Sequence, residues 1–306
     1  MTHKDATTPI ADERQGTLYV VATPIGNLED ITLRALKVLK TVHIIAAENV
    51  SHTKSLCEHY GIRKKLIRYH QHNQAAQTKY LMGRLTSGCD VALVTDAGTP
   101  GISDPGVHLI GEAMQQEIRV SPIPGPSAVI TALSVSGMPT GEFVFVGFLS
   151  NKKGKRKKEL EALRTEARTM VFFESPHRVV AMLTDLNDIL GNRDMVLLRE
   201  MTKVFEEVRR GTVTDILAHM DPEKIRGEFT LVVSGTGVSA TEETLISERV
   251  LHRIESLLGA QTRSVRDIAH MVSEEEGLAY RVIYKQCLFQ KKAFENLSAD
   301  GIDQNP

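Results

Sequence analysis

The chain has 306 residues, which is more than a typical single domain needs. Apolar residues make up 42% of the sequence and charged residues 25%, which excludes a wholly disordered chain. The net charge is −1, so no overall electrostatic field attracts nucleic acid or membrane, and any anionic partner must bind a local patch.

The amino-terminal segment and the cysteines narrow the class further. Residues 1–15 are polar and lack the apolar core of a signal peptide, so we predict a flexible leader. No apolar run approaches the roughly 20 residues that span a bilayer, so no membrane partner is expected. Cys57, Cys89 and Cys287 form no CxxC or Cys/His pattern, so neither a disulfide framework nor a metal site is predicted. These features favour a cytoplasmic protein.

From Gly16 the chain alternates short apolar strands with helical segments. Strands are predicted over 18–23, 43–47, 67–69 and 90–95, and helices over 31–40, 53–60 and 75–85. This alternation predicts an α/β domain with a largely parallel sheet covered by helices. Pro122, Pro124 and Pro126 then forbid a continuing helix or a central strand. We therefore place a domain boundary there, with the N-terminal α/β domain over residues 16–123.

A second series of strands and helices follows the prolines. Strands are predicted over 143–147, 169–173, 194–198 and 229–234, and helices over 155–168 and 179–190. Residues 124–236 are thus predicted to form a C-terminal α/β domain. Beyond it, helical patterns over 245–258, 265–273 and 279–294 predict a small helical appendix over 237–295, followed by a flexible tail over 296–306.

Two loops follow predicted strands, at the points where α/β proteins bind ligands. Gly26 lies in the first, over 23–27, and would let a ligand approach the backbone, although the GxGxxG pattern is missing and a plain turn is an alternative. The second, DAGTPGISDPG over 96–106, combines bare backbone with Asp96 and Asp104. Such a loop suits carboxylate, hydroxyl or ammonium groups of a ligand, and the alternative is that both carboxylates only cap turns.

A third loop, over 124–128, places small residues at a helix start between the two predicted domains. A ligand in an interdomain cleft would suit it, and a rigid linker with Ser127 as helix N-cap is the alternative. Charged groups also follow two strands of the second half, ESPHR over 174–178 and REMTK over 199–203. Residues 206–210, EEVRR, are interpreted as an exposed charged stretch.

Six of the seven residues from 152 to 158 are basic: Lys152, Lys153, Lys155, Arg156, Lys157 and Lys158. Such a run is often only a solvated surface, but its density and single sign favour binding of RNA phosphates. No base-reading motif accompanies it, so it would position RNA rather than select a sequence.

Together these motifs resemble a known family. DAGTPGISDPG, PIPGPSA, GFL before the basic run, ESPHR, REMTKVFEE and GEFTLVV occur in the order typical of the tetrapyrrole-methylase superfamily. Over residues 16–236 the chain is similar to this superfamily and, within it, to the bacterial 16S ribosomal RNA cytidine 2′-O-methyltransferases. The resemblance implies two α/β domains of the class III methyltransferase type, with a cofactor cleft between them.

The resemblance also implies partners and site residues. It implies S-adenosyl-L-methionine as cofactor, 16S rRNA within the 30S subunit as partner, and a homodimer. The matching cofactor positions are Pro24, Asp96, Ala97, Gly98, Ile102, Ser127, Ala128, Phe173, Met201, Gly227 and Thr230. One motif differs from the family pattern: the chain has Glu48-Asn49-Val50-Ser51 where the family usually has Glu-Asp-Thr-Arg.

A ribose 2′-hydroxyl is a poor nucleophile, so its methylation needs in-line positioning and help from a base or a positive charge. The candidates for a base or orienting group are Glu48, Glu174 and Glu200, and the candidate positive groups are Arg199 and Lys203. Asp104 is expected to hold the loop over 96–106 in shape. Two alternatives stay open, a methylase of a small tetrapyrrole-like substrate and a non-catalytic RNA-binding assembly factor.

Overall fold

The structure is a computed structural model that describes residues 15–221, 225–236, 248–260, 263–278, 280, 282–284 and 286–291. The predicted leader, except for Gln15, and the predicted tail lie outside these residues. The chain forms two compact units, one ending at Gly235 and the other beginning at Thr236. None of the helices in the described part combines the length and apolar character that crossing a membrane requires.

The first unit begins with a five-stranded parallel sheet in the order β3-β2-β4-β1-β5. Its strands are β1 (Leu18–Val21), β2 (Ile44–Ala47), β3 (Lys65–Arg68), β4 (Val91–Val94) and β5 (Val120–Ile123). Successive residues of β4 belong alternately to two apolar cores, one on each face of the sheet, because neighbouring side chains of a strand point to opposite faces. The predicted parallel sheet is confirmed for this half.

Helices cover both faces of this first sheet. They are α1 (Leu33–Thr41), α2 (Val50–His59), α3 (Gln74–Thr86) and α4 (Val107–Gln115). α1 and α2 pack on one face, and α3 and α4 on the other. β5 was not predicted, because it contains Pro122; it lies at the sheet edge, where a missing N–H is tolerated.

The second sheet is mixed rather than parallel. β6 (Phe143–Phe148), β7 (Thr169–Glu174), β8 (Asp194–Arg199), β9 (Glu207–Thr212) and β10 (Phe229–Val233) lie in the order β6-β7-β10-β8-β9. Only β6 and β7 pair in parallel, while β10 runs antiparallel between β7 and β8. The interpretation of residues 206–210 as an exposed stretch is wrong for most of it, since β9 is a largely half-buried edge strand.

One helix covers one face of the second sheet, and three helices cover the other. α5 (Ala128–Ser136), which links the two sheets, packs on the first face. α6 (Lys153–Glu161), α7 (Val179–Leu190) and α8 (Val213–Ala218) pack on the second. The domain limits at residues 123/124 and 236/237 stay predictions.

The basic run forms the N-terminus of α6, and one of its members points inward. The Arg156 side chain is 6% exposed, and its Nε and Nη2 atoms donate to Asp185 Oδ2 of α7 at 2.8 and 2.5 Å. Lys157 Nζ lies 3.4 Å from the other oxygen of Asp185. The prediction that Arg156 contacts RNA is therefore wrong, because its guanidinium is buried in an ion pair. The other four basic residues, Lys152, Lys153, Lys155 and Lys158, are exposed.

The described part of the second unit is largely helical, with α9 (Glu248–Gly259), α10 (Val265–Glu276) and further helical residues between 280 and 291. Ile254, Ile268, Val272 and Ile283 form the centre of its apolar core. The predicted helical character of the C-terminal region is confirmed for the described residues, and residues 237–247 lie outside them.

Replacing Arg156 by Ala should lower the free energy of unfolding by about 3–5 kcal/mol, because the buried Asp185 carboxylate loses its main partner. Denaturant unfolding measures this change. Lys153→Ala, on the same helix but exposed, is the control and should change stability by less than about 0.5 kcal/mol. An Arg156→Ala protein as stable as the control would contradict the structural role of the pair.

Candidate active site

A cavity of about 340 Å³, here called the cofactor cavity, lies between the two sheets. Its walls come from the carboxyl ends of strands in both sheets and from the start of α5. Because β10 runs antiparallel, its first residue, Phe229, pairs with the last residues of β7 and β8, Glu174 and Arg199. This register explains why segments that are distant in sequence line one cavity.

Hydrogen bonds fix the loops that follow β1 and β4 to each other. Thr23 N donates to Gly98 O at 2.9 Å, and Gly98 N donates to Thr23 O at 3.0 Å. The Thr23 hydroxyl donates to Thr95 O at 3.0 Å. Gly98 has a φ of +79°, a conformation that glycine adopts without strain. The loop over residues 96–106 is thereby held against β1.

Most of the predicted cofactor residues line this cavity: Ala97, Gly98, Ile102, Ser127, Ala128, Phe173, Met201 and Thr230. Pro24 and Asp96 line a neighbouring cavity of about 420 Å³ instead. Gly227 is among the lining residues of neither cavity. Its φ is +90°, and a Cβ there would lie 2.5 Å from Cγ of Glu200, so glycine makes room for that side chain.

The cofactor cavity combines an aromatic wall with carboxylates. The Phe173 ring lies edge-on to Phe148, with centroids 5.6 Å apart. Asp104, Glu174 and Glu228 also line the cavity, whereas no lysine or arginine does among the residues that the structure describes. Ser127 makes no side-chain cap on α5, so the N–H groups at that helix start are available to an anion. A ligand with a flat ring, a positive charge and a carboxylate would complement these groups.

Glu174 and Glu48, two of the predicted catalytic carboxylates, already accept hydrogen bonds. The Glu174 side chain is fully buried; its Oε1 accepts from Ser175 N at 2.8 Å and its Oε2 from Arg178 Nη2 at 3.0 Å. Glu48 lines another cavity, of about 480 Å³, and its Oε2 accepts from Asp96 N at 3.4 Å. Burial is the main cause that raises the pKa of Glu48.

The remaining three predicted catalytic residues form ion pairs. Glu200 Oε1 lies 2.9 Å from Lys203 Nζ, which also lies 2.9 Å from Glu228 Oε2. The hydrogen bond from Lys203 is the main cause that lowers the pKa of Glu200. Arg199 Nη1 lies 3.3 Å from Glu207 Oε2 on β9. These contacts tie the loop after β8 to the strands beside it.

Asn49, which departs from the family pattern, caps α2. Asn49 is the N-cap of α2, and its side-chain oxygen accepts from Ser51 N at 3.1 Å, as an aspartate would. Asn49 N also donates to Asp96 Oδ1 at 3.2 Å. The asparagine therefore retains the cap and leaves one negative charge out of the surroundings of Glu48 and Asp96.

The loop after β8 lies against the loop after β1. Asn27 N donates to Thr202 Oγ1 at 3.0 Å, and Glu200 and Thr202 have φ values of +51° and +66°, which are uncommon for residues with a Cβ. A Cβ on Gly26 would lie only 2.8 Å from Met201 O. Gly26 thus admits the neighbouring loop, and it also lines the cavity of about 420 Å³, so its predicted contact with a ligand stays a prediction.

Asp104, which was predicted only to hold the loop over 96–106 in shape, is a further candidate for a catalytic role. It lines both the cofactor cavity and the 480 Å³ cavity, and it makes no hydrogen bond or ion pair with the described residues. Burial, helped by the charges of Glu48 and Asp96, raises its pKa to about 7. An aspartate in a Gly-rich loop was visible in the sequence, but its burial beside two other carboxylates was not.

Residues 17–217 match the family model of the Tetrapyrrole (Corrin/Porphyrin) Methylases. The chain belongs to the tetrapyrrole methylase family. The crystal structure of uroporphyrin-III-C-methyltransferase from Thermus thermophilus has the same fold, with a TM-score of 0.52 and 22% identity over 72% of this chain and 94% of that chain. The predicted fold class is therefore confirmed.

Curated relatives of this tetrapyrrole methylase include proteins named ribosomal RNA small subunit methyltransferase I. The protein of Micromonospora olivasterospora is 43% identical over 286 residues, which are 92% of this chain and 90% of the relative. The protein of Escherichia coli O157:H7 is 42% identical over 284 residues, which are 92% of this chain and 98% of the relative. The resemblance drawn from the motifs is confirmed.

Gly26→Ala should separate the two loops that meet at this residue, because the new Cβ overlaps backbone. We expect a loss of about 1–3 kcal/mol in the free energy of unfolding, measured by denaturant titration. Gly83→Ala is the matched control: it lies in α3, no atom lies within 4 Å of its new Cβ, and it should stabilise the protein by about 0.4–1 kcal/mol. Equal effects of the two changes would contradict the close contact.

Asp104→Asn should stabilise the protein more at alkaline than at acid pH. The folded-state pKa of about 7 exceeds the unfolded value of about 3.9, so ionisation opposes folding increasingly as pH rises from about 4 to 7. After allowance for solvent screening, we expect the gain in unfolding free energy at about pH 8 to exceed that at about pH 5 by about 1–2 kcal/mol. Thermal unfolding at both pH values measures this difference. Asp194→Asn, a change at an exposed residue at the start of β8, is the control and should not show it. A pH-independent effect of Asp104→Asn would contradict the assignment.

Proposed function

We propose that this tetrapyrrole methylase transfers the methyl group of S-adenosyl-L-methionine to the ribose 2′-hydroxyl of a cytidine in 16S rRNA. The similarity of about nine-tenths of the chain to proteins named ribosomal RNA small subunit methyltransferase I carries this proposal. The alternative of a small tetrapyrrole-like substrate is favoured only by the description of the family model and by distant fold relatives.

The cofactor cavity suits S-adenosyl-L-methionine in each of its parts. Phe148 and Phe173 offer an aromatic wall to the adenine, and the N-terminus of α5 at Ala128 offers N–H groups to the carboxylate. Asp104 is suited to the sulfonium charge of the cofactor. When bound, the cofactor supplies a methyl group that its sulfonium already activates, so the protein has to position the acceptor, exclude water and remove a proton.

The N-terminus of α6 is the proposed RNA contact. Cations are unfavourable at a helix N-terminus, because the helix dipole is positive there. The first turn of α6 contains no acidic residue, yet Lys152 is its N-cap and Lys153 its first residue. Phosphate groups would be attracted by both the lysines and the helix end. Arg156 and Lys157 instead pair with α7 and support the helix.

We also propose that the protein acts in the cytoplasm as a homodimer on the 30S subunit. A nearly neutral protein with one dense basic segment suits a structured particle better than free RNA. The side chains of Ile130, Val135 and Phe143 are exposed on α5 and at the start of β6, and such apolar exposure supports self-association. Light scattering after size exclusion tests the dimer.

The direct test is methyl transfer from labelled cofactor to 30S subunits isolated from cells that lack the gene. We expect one ribose-methylated cytidine in the 16S rRNA, located by mapping of 2′-O-methylation. Cofactor binding without transfer to subunits or to naked 16S rRNA would favour a small-molecule methylase. A protein that binds RNA but no cofactor would be the assembly factor instead.

The paired change of Lys152 and Lys153 to Ser should weaken RNA binding and flatten its dependence on salt. The slope of log affinity against log salt should fall by up to about 2, since two phosphate contacts are lost. Lys37 and Lys40, both exposed on α1, provide a control with the same change of charge when they are replaced by Ser. Equal slopes for the two double variants would exclude the α6 contact.

A further inference from the structure

We infer that the 480 Å³ cavity, here called the acceptor cavity, receives the target nucleotide and that Asp104 removes the proton of its attacking hydroxyl. This inference rests on the proposed function and names the acceptor site and the base for it. The observation behind it is that the acceptor cavity and the cofactor cavity share part of one wall.

Ser103 and Asp104 line both cavities. In-line transfer requires the attacking oxygen to reach the methyl carbon, so the acceptor must occupy a space that adjoins the cofactor cavity. The acceptor cavity meets this condition and, at about 480 Å³, lies in the size range of small-ligand sites. Its lining includes Gln71 and Gln74, whose amides can bond to a nucleotide.

The backbone holds the shared wall in an uncommon conformation. Ser103 has a φ of +64°, which a residue with a Cβ rarely adopts unless its surroundings impose it. On the facing strand β6, Gly147 has a φ of +74°, and a Cβ there would lie 3.0 Å from the Ser103 hydroxyl. The close approach of β6 therefore contributes to fixing Ser103 and the aspartate that follows it.

Asp104 is the carboxyl group at this wall whose oxygens are unengaged. Glu48 and Glu174 both accept hydrogen bonds, whereas Asp104 has no such partner within the described ranges. The charged and titratable groups around it are Glu48, Asp96, His70, His72 and His108 on the acceptor side and Glu174 and Glu228 on the cofactor side.

Burial, together with the charges of Glu48 and Asp96, places the pKa of Asp104 near neutrality. A carboxyl with a pKa of about 7 is a stronger base than an ordinary aspartate, and a substantial fraction of it is ionised at neutral pH.

The transfer then balances in one step. The ribose 2′-oxygen forms a bond to the methyl carbon as the sulfur–carbon bond breaks, and that electron pair stays on sulfur. The hydroxyl proton passes to an Asp104 carboxylate oxygen and later to solvent. The products are the 2′-O-methylated ribose and S-adenosylhomocysteine.

Asp104→Asn tests the base, because it retains the shape of the side chain and removes the proton acceptor. We expect kcat on 30S subunits, at saturating cofactor, to fall by about 10²–10⁴-fold. Calorimetry should show unchanged affinity for S-adenosylhomocysteine, which lacks the sulfonium charge. Log kcat/KM of the wild type should fall as the pH is lowered through the pKa of Asp104, because the protonated carboxyl cannot accept the proton, and the residual activity of the variant should lose this limb. Asp194→Asn should behave as the wild type.

The possible failures are distinguishable. A wild-type protein that methylates no 30S subunit would overturn the proposed function. If the wild type is active and the Asp104→Asn variant is equally active, the role of Asp104 as base would be overturned, whereas the proposed function would stand. Loss of S-adenosylhomocysteine binding in that variant would also overturn it, because the residue would then be structural; Asp104→Glu should in contrast recover part of the rate.

Val107→Trp tests the acceptor cavity separately. Val107 lines that cavity and is 68% exposed, so a larger side chain can narrow the space without disturbing the core. KM for 30S subunits should rise while the affinity for S-adenosylhomocysteine stays the same. An unchanged KM would overturn the placement of the nucleotide.

Discussion

The close contact between the loop after β1 and the loop after β8 brings the two halves of the site together. Gly26 lies against the backbone of Met201, and Asn27 donates to the Thr202 hydroxyl. Met201 thereby reaches the cofactor cavity, where it packs in the same apolar cluster as Ile25. The φ values of Glu200 and Thr202 indicate that the loop conformation is imposed by these contacts. The approach of β6 to Ser103 and the start of α5 join the two halves at the same cavity.

The negative charge of the two cavities is a second constraint on the site. The cofactor and acceptor cavities are lined by carboxylates, and in the described part of the chain by no lysine or arginine. Such a surface is suited to a cationic ligand. Burial, together with the charges of Glu48 and Asp96, raises the pKa of Asp104, which lies between the cavities. The same negative surroundings are a physical reason for an asparagine at position 49, since Asn49 caps α2 without adding another negative charge. Attraction of RNA must therefore come from outside the cavities, as the lysines at the start of α6 provide.

The basic segment shows how one run of residues can divide between two roles. Helical spacing turns Arg156 and Lys157 towards α7, where Asp185 is buried, while Lys152, Lys153 and Lys155 stay in solvent. The buried pair anchors the helix whose N-terminus presents the lysines. A run of like charge in the sequence therefore overstates the number of residues that can contact a phosphate.

The sequence alone was sufficient for the α/β class, for most strands and helices and for the family, because these depend on local apolar periodicity and on contiguous motifs. Most of the residues that the sequence predicts for the cofactor line one cavity, since loops after parallel strands converge at one edge. Only the tertiary structure decided that β5 and β9 exist, because Pro122 and the charges of residues 206–210 are tolerated only at sheet edges. The inward direction of Arg156 and the engagement of Glu48 were likewise decided by residues far away in the chain, Asp185 and Asp96. Asp104 is the clearest case, because its ionisation depends on burial and on the charge of Glu48, which the fold brings to it, in addition to Asp96 of the same loop.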